Sequence, residues 1–76
     1  MEKLYDVKKV IVTNEELILF IGEKEYKFPL EKVSDKLKNA NDVERNDFKV
    51  SPSGYGIHWR LLDEDISING LLKNTK

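Results

Sequence analysis

The sequence predicts an α+β domain: a small antiparallel sheet of about five strands with a helix packed on one face. The expected order is strand, strand, strand, helix, turn, strand, strand, helix. Three observations predict it. The first 28 residues hold three β-like runs separated by short polar breaks. After Pro29 the apolar spacing changes from two to three and four. Beyond residue 46 the alternation returns, interrupted by the turn residues Pro52, Ser53 and Gly54.

Val7 to Thr13 is rich in β-branched residues and is broken by Asn14. Leu17 to Ile21 is an apolar run too short for a helix and bounded by Gly22. Asn14-Glu15 joins these two runs, and Gly22-Glu23 supplies the next tight reversal. Glycine there takes a positive φ without steric cost. Lys24 to Phe28 alternates cleanly, with Tyr26 and Phe28 on one face and Glu25 and Lys27 on the other.

Pro29 suits the first turn of a helix, where its missing N–H costs nothing. Leu30, Val33, Leu37 and Ala40 then form one helical stripe over 30–39, which Asn39 or Asn41 can end. Asn41 and Glu44 have the spacing of a capping box and open a short helical turn. Asp47 to Ser51 follows as a strand with Phe48 and Val50 inward, and Tyr55 to Arg60 as another. In that last strand Tyr55, Ile57 and Trp59 share the inner face; Gly56, His58 and Arg60 share the outer one. Gly56 inside a strand signals a bulge or a close backbone approach. Ser67 can cap a final short helix carrying Ile68, Leu71 and Leu72.

The chain of 76 residues allows one domain, 1–76, with a frayed tail at 73–76. Without cysteine, neither disulfides nor thiolate zinc sites can hold it. Charge is balanced, 13 Lys+Arg against 14 Asp+Glu, which argues against direct nucleic-acid binding. Lysines are interleaved with acids and have no aromatic stacking platform beside them. The longest apolar run, Leu17 to Ile21, is far too short to cross a membrane, and the N-terminus lacks the apolar stretch of a signal peptide. A cytoplasmic protein is the expectation.

Residues 39 to 72, NANDVERNDFKVSPSGYGIHWRLLDEDISINGLL, resemble the C-terminal signature of the domain of unknown function 2442 family. The likeness rests on Gly54-Tyr-Gly-Ile-His-Trp59, on Leu62-Asp-Glu-Asp-Ile-Ser67 and on Gly70-Leu-Leu72. The first 38 residues fit more loosely. Arg60 stands where the family usually has proline, which leaves 60–62 less rigid. The resemblance implies a small α+β domain and no particular activity. It also implies bacterial or phage-type proteins, some fused ahead of a helix-turn-helix domain. Others are encoded beside a second small protein in toxin–antitoxin-like arrangements.

Two groups of residues are candidates for function. The first is polar: His58, Arg60, Asp63, Glu64 and Asp65. Carboxylates near a histidine can build an acid–base pair or a hard-metal site. The simpler reading is structural, with Asp63 closing a turn and Asp65 and Ser67 satisfying free amides at a helix start. One histidine without cysteine is a poor transition-metal set, and neither cofactor nor metal is expected. The second group is apolar. Val7, Ile11, Ile18 and Phe20 fall on the opposite parity from Val10, Val12, Leu17 and Leu19. That face is covered by Tyr5 or the last helix, or else meets a partner or a second copy.

The expected function is a non-enzymatic module that binds a protein partner, one encoded alongside it in an antitoxin-like setting, or that forms a homodimer. The alternatives are a transcription-linked regulator with a separate DNA-binding partner, and a carboxylate- or metal-dependent hydrolase using His58 with Asp63 and Asp65.

Overall fold

The computed structural model describes residues 5–52 and 54–73. Strands β1 (Val7–Val12), β2 (Glu16–Ile21) and β3 (Lys24–Pro29) pair in that order into an antiparallel sheet. Helices α1 (Leu30–Val33), α2 (Asp35–Lys38) and α3 (Asp42–Asn46) lead to a second antiparallel sheet. Its strands are β4 (Phe48–Val50), β5 (Gly56–Trp59) and β6 (Glu64–Ser67), and helix α4 (Ile68–Lys73) follows. The α+β class is as expected. The single sheet of about five strands is instead two three-stranded meanders, because β3 runs into helices and does not pair with β4.

The inner faces of both sheets line one core. Val12, Leu17, Leu19 and Phe28 come from the first sheet, and Ile57 and Trp59 from the second. Leu30, Leu37 and Ile68 come from α1, α2 and α4. The hairpin register sets the first of these faces: Val12 opposes Leu17 and Val10 opposes Leu19, while Phe28 and Tyr26 oppose the same two leucines from β3. A one-residue slip would turn all of them outward. At Gly22 the turn has φ 59°, the left-handed conformation expected there.

The expected helix over 30–39 breaks at Ser34, which is extended. Ser34 caps α2, its Oγ accepting from the Leu37 amide, and donates its hydroxyl hydrogen to Glu64 of β6 at 2.5 Å. A serine in mid-helix competes with the backbone in this way, and here a tertiary partner favours the break. The stripe survives the break, with Leu30, Leu37 and Ala40 buried and Val33 half-buried. The capping box forms as expected: the Asn41 side chain accepts from the Glu44 amide at 2.8 Å, and Glu44 accepts from the Asn41 amide at 3.0 Å.

Trp59 is fully buried, as its strand parity predicts. Its indole N–H donates to the Arg45 carbonyl at 2.9 Å, and its ring lies 5.6 Å from that of Phe48. Tyr55 departs from expectation. It is 60% exposed, because β5 begins at Gly56 and the backbone of Tyr55 is held outside the strand by Ser51 and Ile68. Ser53 of the expected turn and residues 74–76 of the expected tail lie outside the described residues.

Two substitutions test this packing by urea denaturation. Trp59→Phe removes the indole donor and part of the core volume, and is expected to cost about 2–4 kcal/mol. Gly54→Ala is expected to cost more than about 2 kcal/mol. Gly54 has φ 71°, and a Cβ there would stand 2.0 Å from the Tyr5 carbonyl oxygen. A Gly54→Ala protein as stable as the parent would show that Tyr5 does not close over this turn.

Candidate functional site

The outer face of the second sheet holds the candidate site. Lys49 on β4, His58 on β5 and Asp65 on β6 are cross-strand neighbours and make one row across it. His58 Nδ1 lies 2.6 Å from Asp65 Oδ1, the ring N–H donating to the carboxylate. Both side chains are exposed, and such a pair contributes at most about 1 kcal/mol to stability. Lys49 is exposed and forms no ion pair among the described residues.

Beside this row is an open depression of about 660 Å³. Pro52 and Tyr55 line it with Lys49, His58, Asp65 and the hydroxyls of Ser51 and Ser67. Val50 and Ile66 also border it, although both pair with buried Ile57 and so belong to the inner face of the sheet. Gly56 also lines it and contributes no side chain. A Cβ at Gly56 would meet the Ile66 carbonyl oxygen at 3.0 Å, which is the close strand approach that glycine in this run implies.

Only two of the five polar candidates meet. Arg60 turns away to Asp47, at 2.5 Å. Asp63 closes the turn between β5 and β6 with φ 50°, a conformation that aspartate tolerates better than most residues. Glu64 points to the inner face, where it accepts from Ser34. Asp65 does not serve the last helix: it lies within β6 and pairs with His58. Ser67 does serve that helix, its Oγ accepting from the Gly70 amide at 3.1 Å.

Of the three residues anticipated for a hydrolase, His58 and Asp65 meet, while Asp63 stays in the turn. A His–Asp pair can orient a general base. Ser51 and Ser67 line the depression, and their Oγ atoms accept from backbone amides of Tyr55, Gly56 and Gly70. Among the described residues, no three of His, Cys, Asp and Glu gather as a metal site.

The apolar candidates also divide. A register shift between Val7 and Lys9 reverses the parity of β1, so Val7 packs against the core. Ile11, Ile18 and Phe20 stay on the outer face of the first sheet, outside the core cluster. Helix α4 does not cover them; its Ile68 enters the core from the other side, and Tyr5 donates to Asn69 of that helix at 2.6 Å.

Sequence reasoning missed Lys49, Pro52 and Tyr55 as parts of the site. Lys49 was recoverable from parity, being the outward residue between Phe48 and Val50. The other two depend on where the strand starts.

Glu64, Asp65 and the capping Ser67 are expected to separate in equilibrium unfolding. Glu64→Ala leaves the buried Ser34 hydroxyl without its acceptor and should cost about 1–3 kcal/mol. Ser67→Ala should cost about 0.5–2 kcal/mol as a lost cap. Asp65→Ala should cost less than about 1 kcal/mol. Equal losses for Glu64 and Asp65 would contradict their placement on opposite faces.

The chain is similar to a solved protein of unknown function from Rhodospirillum rubrum, at TM-score 0.74 and 25% identity over 91% of this chain and 86% of that one. No curated protein matches it. A family model described as Protein of unknown function (DUF2442) matches residues 7–76. The chain therefore belongs to the DUF2442 family, as its Gly54-to-Leu72 signature suggested.

Proposed function

We propose that this chain is a non-enzymatic protein-interaction module that takes a segment of a partner protein on the outer face of its second sheet. The observation that carries this reading is the depression beside Pro52 and Tyr55, lined also by Lys49, which forms no ion pair among the described residues. An exposed aromatic beside an apolar hollow is the kind of anchor point that dominates binding energy at interfaces. Lys49 selects the charge of the occupant. The fitting segment carries an apolar side chain for the hollow and a carboxylate that Lys49 can meet.

An antitoxin-like role, with a partner encoded alongside, is one instance of this reading. The acidic surface left for such a partner is smaller than the sequence suggested, since Glu64 faces inward. Electrostatic pairing would then rest on Lys49, His58 and Asp65 and act mainly on association rate and specificity.

The test is co-purification of the tagged full chain from its native host, repeated with Tyr55→Ala and with Lys49→Glu. Both side chains are exposed, so the variants should keep the parent's unfolding midpoint. Each is expected to weaken capture of the same partner at least about tenfold, a change of about 1.4 kcal/mol. Undiminished capture by both variants would place the partner elsewhere.

A further inference from the structure

We propose that the outer face of the first sheet is the contact surface of a two-fold dimer of this chain. The proposal is independent of the depression on the second sheet.

Two rows of residues cross that outer face. One row is Ile11, Ile18 and Lys27; the next is Lys9, Phe20 and Glu25. Ile11, Ile18 and Phe20 are aliphatic or aromatic, half-buried by their neighbours and outside the core cluster. They lie together in β1 and β2, with Lys27 and Glu25 beside them on β3. A contiguous apolar patch rimmed by charge is the usual mark of a contact surface.

The charge pattern identifies the occupant. Two sheets packed face to face keep their strands within about 30° of alignment. A two-fold axis running across the strands, between the two rows, lays each row on the other row of the second copy. Lys27 then meets Glu25 of the second copy, and its own Glu25 meets Lys27 of that copy. Ile18 lies against Phe20, and the aliphatic stem of Lys9 covers Ile11. Thus opposite charges oppose and apolar residues oppose, twice over by symmetry. The other in-plane axis, along β2, would set Glu16 directly over Glu16, since Glu16 is on the same face of the central strand. The across-strand arrangement moves Glu16 toward the Gly22 turn of the second copy and avoids that repulsion.

The face is three strands wide and six residues long, about 14 by 20 Å at ordinary strand spacing. That is smaller than the contact of a permanent dimer, so the association is weak and concentration-dependent. Dimerisation here leaves the outer faces of both second sheets uncovered. Each dimer would therefore present two copies of the partner-binding surface, which raises avidity for a bivalent partner.

Sedimentation equilibrium of the full chain, from about 10 μM to about 1 mM, reads the proposal directly. A reversible monomer–dimer equilibrium is expected. Glu25→Lys should weaken it at least about tenfold, because it sets lysine against lysine at two symmetric contacts. Adding Lys27→Glu in the same chain should restore the parent's association. These side chains are exposed and their own ion pair, at 3.5 Å, is a surface one, so the fold should be unaffected. The proposal is overturned if the parent is monomeric throughout, or if Glu25→Lys dimerises as well as the parent. Rescue by Lys9→Glu in place of Lys27→Glu would overturn the across-strand axis.

Discussion

The fold depends on where one indole can find a hydrogen-bond acceptor inside the core. Trp59 is fully buried, and its N–H reaches the carbonyl of Arg45. A tryptophan can be buried whole only when that N–H is satisfied. The need therefore fixes α3 against β5. Arg45 is itself 7% exposed, with its guanidinium donating to the Ala40 carbonyl and to Asp42. The Asn41–Glu44 box starts the same short helix at its other end. A five-residue helix has little stability of its own. Here its two ends and the indole hold it together. This arrangement positions β4, which begins two residues beyond α3 and brings Phe48 against Trp59.

A second tie crosses the same core. Ser34 and Glu64 are thirty residues apart, and their hydrogen bond links the break between α1 and α2 to β6. It explains two things that local pattern could not. The stripe of Leu30, Val33, Leu37 and Ala40 reads as one helix because helical spacing is preserved on both sides of Ser34. The run Asp63 to Asp65 reads as a polar corner because acids have low strand propensity. In the structure, burial alternates from Leu61 to Ser67, with Glu64 taking an inward position. An inward glutamate is intelligible only once its distant partner is known. By contrast, the hairpin strands, the Gly22 turn, the Asn41 box and the Ser67 cap were legible, since each depends on neighbours within a few residues.

The candidate site was legible in the same proportion. His58 and Asp65 meet because antiparallel pairing sets them opposite each other, which requires the β5–β6 register. Sequence proximity alone grouped them with Arg60, Asp63 and Glu64, whose side chains go to a helix end, a turn and the core side. On β1, a single irregularity between Val7 and Lys9 moved Val7 from the supposed outer set to the inner one. Such shifts are invisible to parity counting, which assumes an unbroken period of two.

The two outer faces differ in kind, and this difference argues for different occupants. The face of the second sheet is a hollow lined by an exposed tyrosine and by Lys49. A hollow fits a protruding segment better than another flat surface. The face of the first sheet is built from full strands, with lysine and glutamate in adjacent rows about an apolar centre. In the proposed dimer that ordering is satisfied through a two-fold axis, as isologous contacts require. Because both sheets turn their inner sides to one core, each face can be occupied without disturbing the other. A small domain with little core to spare thus keeps its stability in a few long-range ties, and both proposed contacts fall outside them.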